Sequence, residues 1–462
     1  MQRGLQFSTL SHARRAPSPM SLYQETISRL QALDIHSVLV QFCDIHGVAK
    51  GKLVPLANLQ EWVEQGAGFA GPSIWGTGLP RFGARSEYYA RVQLDSLQPL
   101  PFMPGVAHAV ADGFAGGLPL ETCSRQLLRS AISQLQARGW TLWVGIEPEF
   151  FLLRQEERGA WQVADAADQL DKPSYDLKAI HRNQAFLDDM RATLTALGFE
   201  LQQIDHEDAC GQYEINYKFD DALAAADRYL LFKLTAHAVA QKHGLVFSAM
   251  AKPLAQAPGS GLHFHLSITD ANGHAVFADP AGDLGLSSAG HQFAAGLLEH
   301  ADALSALCAP TVNSYKRLAL SQSASGTTWS PVWKAHGDNN RTCLVRAVAG
   351  RLEWRLPDAS CNVYAALAAT LLAGLDGIDR QVAAPAPCEE DLYERYVRGA
   401  PMPGRLPRDL FEALASLQED AGLRSMLGEA FCDQLLALKW AEWDQYQQHV
   451  SSWELVRYAD AF

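Results

Sequence analysis

The chain has 462 residues, of which 48% are apolar and 19% charged, and its formal net charge is −13. This composition is typical of a globular protein long enough for two or three domains. The acidic balance argues against nucleic-acid binding, and no apolar run is long enough to span a membrane. Eight scattered cysteines without a C-x-x-C pair predict a reduced, cytoplasmic protein with neither disulfides nor a structural zinc site.

The first segment, residues 1–20, contains serines and arginines but no acidic residue, and it is interpreted as a disordered or targeting-like tail. The following pattern predicts a capped amphipathic helix over 21–33 and strands over 36–44 and 47–55. Glycine, proline and aromatic residues dominate 56–120. Residues 21–120 are therefore predicted to form a small β-rich domain.

Helix signals return over residues 121–138, and from there short strands alternate with longer helices. This order predicts a second, larger α+β domain over 121–462. Its predicted strands are 140–153, 211–219, 259–269, 341–350 and 350–358, and its predicted helices include 176–197, 221–243, 287–307 and 361–377.

Four of these strands carry polar residues at alternate positions, which places the polar side chains on one face of each strand. For a single strand, a solvated sheet face explains this pattern well. Four such strands beside strongly apolar runs instead predict a lined cavity, because buried charges need partners or metals. The sets are Glu147 with Glu149, His263 with His265, Glu214 with Asn216, and Arg351 with Glu353 and Arg355.

Carboxylates dominate the possible metal ligands of this cavity. The candidates are Glu147, Glu149, Glu207, Glu214, His263 and Glu353, with no thiolate among them. Such an oxygen-rich set suits Mg²⁺ or Mn²⁺ rather than structural zinc, and its size predicts at least two ions.

Arginines supply the opposite charge, and guanidinium groups match phosphate and carboxylate geometry. Divalent ions and arginines together are what phosphoryl transfer requires. The candidates are Arg317, Arg341, Arg346, Arg351 and Arg355.

Several longer motifs occur in a fixed order: GIEPEFF (145–151), HEDACGQYEINY (206–217), GSGLHFH (259–265), NSYKR (313–317), NNRTCLVR (339–346) and GRLEWRLPDASCNVY (350–364). Because it carries these motifs in this order, the chain resembles the glutamine synthetase family from about residue 22 to its end. The resemblance implies an α+β fold, with an N-terminal β-grasp domain and a catalytic domain of antiparallel sheet and flanking helices. It also implies homo-oligomers of six or twelve subunits with active sites between neighbours.

The resemblance also implies residue roles, with ATP, glutamate and an amine as substrates. It assigns Glu149, Glu207 and Glu214 to the metal nearest glutamate, and Glu147, His263 and Glu353 to the metal on the ATP phosphates, with two or three Mg²⁺ or Mn²⁺ ions per site. It assigns His265, Arg346 and Arg351 to ATP, and Gly259, Gly261, Arg317 and Arg355 to glutamate. It assigns catalysis to Arg341, Arg355 and Asp44, the last reaching into the adjacent subunit to bind the amine.

One segment departs from the family pattern. Glutamine synthetases carry a flap glutamate that closes the ammonium site, whereas residues 318–342 contain no glutamate. The segment carries Trp329 and Trp333, which could offer an apolar or cation–π surface to an organic amine. We therefore hypothesise that the acceptor is a primary organic amine, either an alkylamine or an aromatic amine such as aniline. This segment most resembles the γ-glutamylmethylamide synthetase-like branch of the family. Alternatively, both tryptophans are packing residues of the core.

Three other interpretations remain open from the sequence. The chain could be an ordinary glutamine synthetase that uses ammonia, or a family member without catalytic activity. His263 and His265 with a glutamate could also form the iron site of a cupin-like oxygenase, although that chemistry needs far fewer charged groups.

Overall fold

The structure is a computed structural model that describes residues 19–156, 159–320 and 328–462. The tail predicted over residues 1–20 lies outside the described residues except for its last two. Helices and strands are mixed throughout, which confirms the predicted α+β class.

The N-terminal part contains a seven-stranded sheet in the order β2-β1-β6-β4-β3, with β5 and β7 paired to β6. Its strands are β1 (Ser37–Cys43), β2 (Ala49–Pro55), β3 (Ala67–Ala70), β4 (Glu87–Val92), β5 (Gln98–Pro99), β6 (Val106–Ala115) and β7 (Leu118–Pro119), accompanied by helices α1 (Pro19–Gln31) and α2 (Leu59–Glu64). The two strands predicted to be joined at Ile45 and His46 form the antiparallel hairpin β1–β2.

A ten-stranded sheet lies at the centre of the larger part. Its strands are β8 (Trp140–Gln155), β9 (Trp161–Val163), β10 (Leu201–His206), β11 (Gln212–Tyr217), β12 (Asp220–Asp221), β13 (Val246–Ser248), β14 (Leu262–Asp270), β15 (His336–Asp338), β16 (Val345–Val348) and β17 (Arg351–Trp354). The main path runs β10-β11-β8-β14-β17-β16-β15, and every pair along it is antiparallel except β15 with β16.

Helices pack around this sheet. They are α3 (Ser124–Gln136), α4 (Leu177–Arg182), α5 (Gln184–Ala196), α6 (Ala222–Lys242), α7 (Ser288–Glu299), α8 (Ala301–Cys308), α9 (Ser314–Arg317), α10 (Val363–Asp379), α11 (Leu392–Val397), α12 (Leu410–Glu419), α13 (Ala421–Leu427), α14 (Glu429–Gln448) and α15 (Ser452–Tyr458). Helix α10 is almost entirely buried and contacts α3, α6, α7 and α8. A search of the described residues for a helix long and apolar enough to cross a bilayer finds none.

The two faces of strand β8 have different chemistry. Leu142, Val144 and Ile146 belong to the main hydrophobic core, together with residues of α3, α6 and α10. Because side chains alternate along a strand, Glu147 and Glu149 project from the opposite face. The sheet therefore has an apolar face covered by helices and a polar face on which the candidate site lies.

Several local features differ from the sequence prediction. The helix predicted over 176–197 is divided at Asn183, and the helix predicted over 287–307 is divided at His300, because both residues leave helical geometry. Strand β10 was not predicted at all. Its sequence LQQIDH has only two apolar residues, which is too few to show a strand pattern.

Candidate active site

Glu147, His263 and Glu353 meet on three neighbouring strands, β8, β14 and β17. His263 lies directly opposite Glu147 in the register of β8 and β14. Its Nδ1 is 3.4 Å from Glu147 Oε2 and 3.7 Å from Glu353 Oε1. The possible ligand atoms of the three residues all lie within 4.8 Å of one another. The predicted ligands of one metal are thus brought together.

Cationic side chains compensate the charge of this first group. Glu353 is 1% exposed and forms ion pairs with Arg346 and Arg355. Burial disfavours its ionised form, but Arg355 and His263 nevertheless hold the pKa of Glu353 at about 2. Burial opposes ionisation of Glu147 as well, and hydrogen bonds with His263 and His265 lower its pKa. Both glutamates are therefore ionised at neutral pH.

A second group consists of Asp205, Glu207 and Glu214, whose carboxylate oxygens also lie within 4.8 Å of one another. Burial together with repulsion from Glu149 and Asp205 raises the pKa of Glu207 to about 8. Burial and the charges of Glu147 and Glu149 likewise raise the pKa of Asp205 to about 6. The pKa of Glu214 is raised by burial and by Glu207. The carboxylates crowded into this half of the site therefore repel one another in their ionised forms.

Glu149 lies between the two groups. Its Oε2 accepts hydrogen bonds from Gln212 Nε2 at 2.9 Å and from the backbone N–H of Gly261 at 2.8 Å. Its Oε1 lies 3.8 Å from His263 Nε2. Register also places Glu149 opposite Glu214 on β11.

The donor set fits divalent cations. Carboxylate oxygens and one imidazole are the ligands that Mg²⁺ and Mn²⁺ accept. No arginine or lysine among the described residues forms an ion pair with Asp205, Glu207 or Glu214, so a cation would relieve their mutual repulsion. Two adjacent groups of ligands leave room for two ions.

The predicted glutamate-binding residues lie beside these groups. Arg317 is 4% exposed and donates to the carbonyl oxygens of Leu356 at 2.9 Å and Arg355 at 3.1 Å. A Cβ atom added to Gly261 would lie 2.7 Å from His263 Nε2, 2.9 Å from Glu149 Oε1 and 3.1 Å from Arg317 Nη2. Gly259 is similarly confined, because a Cβ atom added there would lie 2.3 Å from the carbonyl oxygen of Ala251. The glycines keep this space open.

A cavity of about 320 Å³ adjoins the first group and is lined by Glu147, Asn216, His265 and Arg351. Arg351 Nε donates to His265 Nδ1 at 3.2 Å, and His265 Nε2 lies 2.8 Å from Glu147 Oε1. Arg346 contacts the same group of metal ligands by its ion pair with Glu353. The three residues predicted to contact ATP therefore surround one metal-ligand group and its cavity.

A second cavity, of about 680 Å³, lies beside Trp329 and Arg341. Trp329 is 39% exposed, and its carbonyl oxygen accepts a hydrogen bond from Arg355 Nη2 at 3.3 Å. Its φ of 53° lies in the left-handed region, which is strained for a bulky residue. The remaining wall is strongly acidic, with Asp283, Asp338, Glu389, Glu390 and Asp391.

The prediction for Trp333 is corrected by the structure. Its side chain is 2% exposed and belongs to a small hydrophobic cluster with Val332 and Leu392. Its ring centroid lies 5.1 Å from that of Tyr393. Trp333 is a packing residue, and of the two tryptophans only Trp329 lines an open cavity.

Asp44 lies in the turn that joins β1 to β2. Its carboxylate is 1% exposed and accepts hydrogen bonds from the backbone N–H groups of His46 and Val48, both at 3.0 Å. Lys50 Nζ lies 3.4 Å from Asp44 Oδ2, and Asn362, which caps the start of α10, donates to the backbone oxygen of Asp44. Asp44 thus stabilises a turn within its own chain, and its role in amine binding at a neighbouring subunit stays a prediction.

Sequence reasoning missed Asp205 and Asp168. Asp205 lies two residues before Glu207, so alternation along a strand would have placed both on one face. That signal was lost because β10 was not recognised. Asp168 lies in a loop far from the motifs, and no local pattern indicates that it contacts His206.

Comparisons with known proteins agree with this geometry. The family described as "Glutamine synthetase, catalytic domain" matches residues 121–458. A glutamate–methylamine ligase of Methyloversatilis universalis is 45% identical over 94% of this chain and 98% of that protein. A glutamine synthetase of Rhizobium leguminosarum bv. phaseoli is 36% identical over 90% of this chain and 94% of that protein.

Two solved structures are also similar. A GmaS/ADP complex has a TM-score of 0.88 and 38% identity, and apo GmaS without ligand has a TM-score of 0.86 and 37% identity. Each comparison covers 94% of this chain and 99% of the other.

Proposed function

Because the chain belongs to the glutamine synthetase family, we propose that it is a ligase that joins the γ-carboxylate of glutamate to a primary organic amine, with ATP converted to ADP and phosphate. The observation that carries this proposal is the polar face of the sheet. Two groups of metal ligands, one of them beside Arg346 and Arg355, lie between a confined glycine loop and an adjoining cavity.

The metals are proposed to be Mg²⁺ or Mn²⁺. Glu147, His263 and Glu353 would hold one ion and Glu149, Glu207 and Glu214 another. When bound, such ions neutralise phosphate charge during phosphoryl transfer. An iron oxygenase would need only a few of these carboxylates and none of the paired guanidinium groups.

The residues of the chain would orient the substrates. We propose that Arg317 binds the α-carboxylate of glutamate beside Gly261, since its guanidinium lines the space that a side chain there would fill. His265 and Arg351 are proposed to bind ATP in the adjoining cavity. Arg346, which forms an ion pair with Glu353, is proposed to bind the ATP phosphates.

The reaction then has two steps. An oxygen of the glutamate γ-carboxylate attacks the γ-phosphorus of ATP, and the bond to ADP breaks. The amine nitrogen next attacks the acyl carbon, the bond to phosphate breaks, and the amine loses a proton. Arg341 and Arg355 are proposed to neutralise the negative charge that develops on the transferred phosphoryl group.

The choice of an organic amine is supported by the surroundings of Trp329. Its side chain lines a cavity with an acidic wall, and such a wall attracts the protonated form of an amine. An aromatic ring favours a cation that carries an alkyl or aryl group over bare ammonium, because it adds apolar contact. The similarity to a glutamate–methylamine ligase supports the same choice.

An amine panel tests this proposal. Purified full-length protein would be incubated with glutamate, ATP, Mg²⁺ or Mn²⁺, and ammonia, methylamine, longer alkylamines or aniline, with phosphate release and product mass as readouts. We expect an organic amine to give the highest kcat/KM. Ammonia as the best acceptor would overturn the amine assignment, and no turnover with any amine would favour a non-catalytic family member.

A homo-oligomer of six or twelve subunits is proposed as the working form. The C-terminal segment exposes several apolar side chains, including Trp453 at 64% and Val456 at 90%. A stable helix, capped by Ser451 and Glu454, carries them. Such a patch is typical of an interface, and light scattering of the protein with and without residues 450–462 would test it.

We also propose a cytoplasmic location, where ATP is available and the eight free thiols would stay reduced.

A further inference from the structure

We propose that Asp205 is a ligand of the metal nearest glutamate and completes a four-carboxylate site with Glu149, Glu207 and Glu214. This inference rests on the metal-dependent reaction proposed above. It adds to the three ligands that the family resemblance assigns to that ion.

Strand geometry places Asp205 in the site. Asp205 and Glu207 are two residues apart at the end of β10, so their side chains leave the same face. The register of β10 and β11 sets Asp205 directly opposite Glu214. The three carboxylates therefore converge from two adjacent strands, and their oxygens lie within 4.8 Å of one another.

Unsatisfied polar atoms indicate that the group lacks a ligand. Asp205 Oδ1 is buried and has no hydrogen-bond partner among the described residues. Asn216 is 7% exposed and its Nδ2 donates to Glu214 Oε1 at 2.6 Å, while its own Oδ1 is also without a partner in the described part of the chain. Buried polar atoms are rarely left unpaired in a complete site.

The position of Glu149 explains why a further oxygen is needed. Gln212 and the backbone of Gly261 both donate to Glu149 Oε2. Only Oε1 is left to reach a metal, and it points toward His263 of the other group. Asp205 offers an oxygen on the side of Glu207 and Glu214, where a hard cation would otherwise have few ligands.

Mn²⁺ binding tests the assignment without depending on turnover. The free Mn²⁺ signal in electron paramagnetic resonance would be titrated with the full-length protein and with the variants Asp205→Asn, Glu214→Gln and Glu353→Gln. Asp188→Asn is the matched control, because Asp188 is exposed and contacts Gln184 and Arg191 at the surface. Circular dichroism and melting without metal would confirm that each variant folds.

We expect Glu353→Gln to weaken Mn²⁺ binding at one class of sites and Glu214→Gln to weaken it at the other class. Asp205→Asn should weaken the same class as Glu214→Gln by about 10- to 100-fold, a range that even supporting residues of metal sites produce. Asp188→Asn should leave both classes unchanged.

Unchanged Mn²⁺ binding in Asp205→Asn, with weakened binding in Glu214→Gln, would overturn the role of Asp205 and leave the proposed function intact. Unchanged binding in both Glu214→Gln and Glu353→Gln would instead contradict the proposed metal sites themselves, and the inference about Asp205 with them.

Discussion

Asp168 Oδ2 lies 2.7 Å from His206 Nε2, and both side chains are completely buried behind the metal-ligand face. The other ring nitrogen, His206 Nδ1, lies 2.9 Å from the backbone oxygen of Glu207. A carboxylate and a carbonyl oxygen both accept hydrogen bonds, so each contact holds the ring of His206 in one orientation. Burial opposes ionisation of Asp168, but hydrogen bonds from His206 and Gly211 hold its pKa below the ordinary value. The buried contact between Asp168 and His206 thus anchors the segment that carries Glu207.

Replacing Asp168 with asparagine should destabilise the protein strongly. The change removes the carboxylate that contacts His206 Nε2 and accepts from the backbone N–H of Gly211, and each buried polar group left unsatisfied typically costs about 1–3 kcal/mol. Urea unfolding at neutral pH measures the loss. The surface change Asp188→Asn serves as the control and should stay within about 0.5 kcal/mol of the original protein. A loss below about 1 kcal/mol for Asp168→Asn would show that the pair contributes little.

Gly261→Ala should abolish most activity while the protein remains folded. The added methyl group would enter the space between His263, Glu149 and Arg317. Gly261 is not among the residues with positive φ, so the change tests the space rather than backbone strain. We expect kcat/KM for glutamate to fall at least about 100-fold, as small displacements in active sites often cause.

The control for this prediction is Gly422→Ala in helix α13, where the new Cβ would meet only ordinary contacts at 3.5 Å and beyond. Its activity should not change. Glutamate-dependent phosphate release from both variants decides the outcome, and near-normal turnover of Gly261→Ala would mean that substrate does not occupy this space.

Trp329→Ala should change the preference among amines, whereas Trp333→Ala should change the stability of the protein. Trp329 lines the open cavity, so its removal should lower the preference for an organic amine over ammonia by about 10-fold, equal to roughly 1.4 kcal/mol of lost contact. Trp333 is buried in its cluster, so its removal should cost about 3–5 kcal/mol of stability without altering that preference. Competition assays and thermal melting separate the two, and an altered preference in Trp333→Ala alone would refute the assignment.

His300 should make stability depend on pH. Its ring lies 2.6 Å from Asp420 Oδ2 and 3.1 Å from Asp376 Oδ2. Burial alone would lower the pKa of His300, but these two carboxylates raise it above the ordinary value of 6.5. Because the pKa of His300 is higher in the folded than in the unfolded state, its protonated ring stabilises the folded protein. This contribution is fully present below pH 6.5 and is lost as the pH rises through the folded-state pKa.

The comparison with His300→Gln isolates this contribution. The difference in unfolding free energy between the two proteins should be largest near pH 6 and should shrink toward alkaline pH. Urea unfolding across this range provides the measurement, and a difference that stayed constant or grew with pH would contradict the proposed charge on His300.

The sequence by itself determined the family, the α+β class and the strand faces that carry many of the candidate metal ligands. The α+β class follows from the order of helix and strand patterns along the chain. Alternation along a strand is a local property, so the residue order alone places Glu147 with Glu149, and His263 with His265, on common faces. The structure brings Glu147 and His263 together with Glu353, although the roles of these residues remain predictions until they are tested.

Only the tertiary structure decided which residues from separate strands meet. Asp205 joined the site because β10, too polar to be recognised in the sequence, pairs with β11 in one particular register. Trp333 proved to be a packing residue, because burial depends on which segments cover a side chain. Local patterns identify the face of a strand, but contacts between residues far apart in the chain are set by how the strands and helices pack.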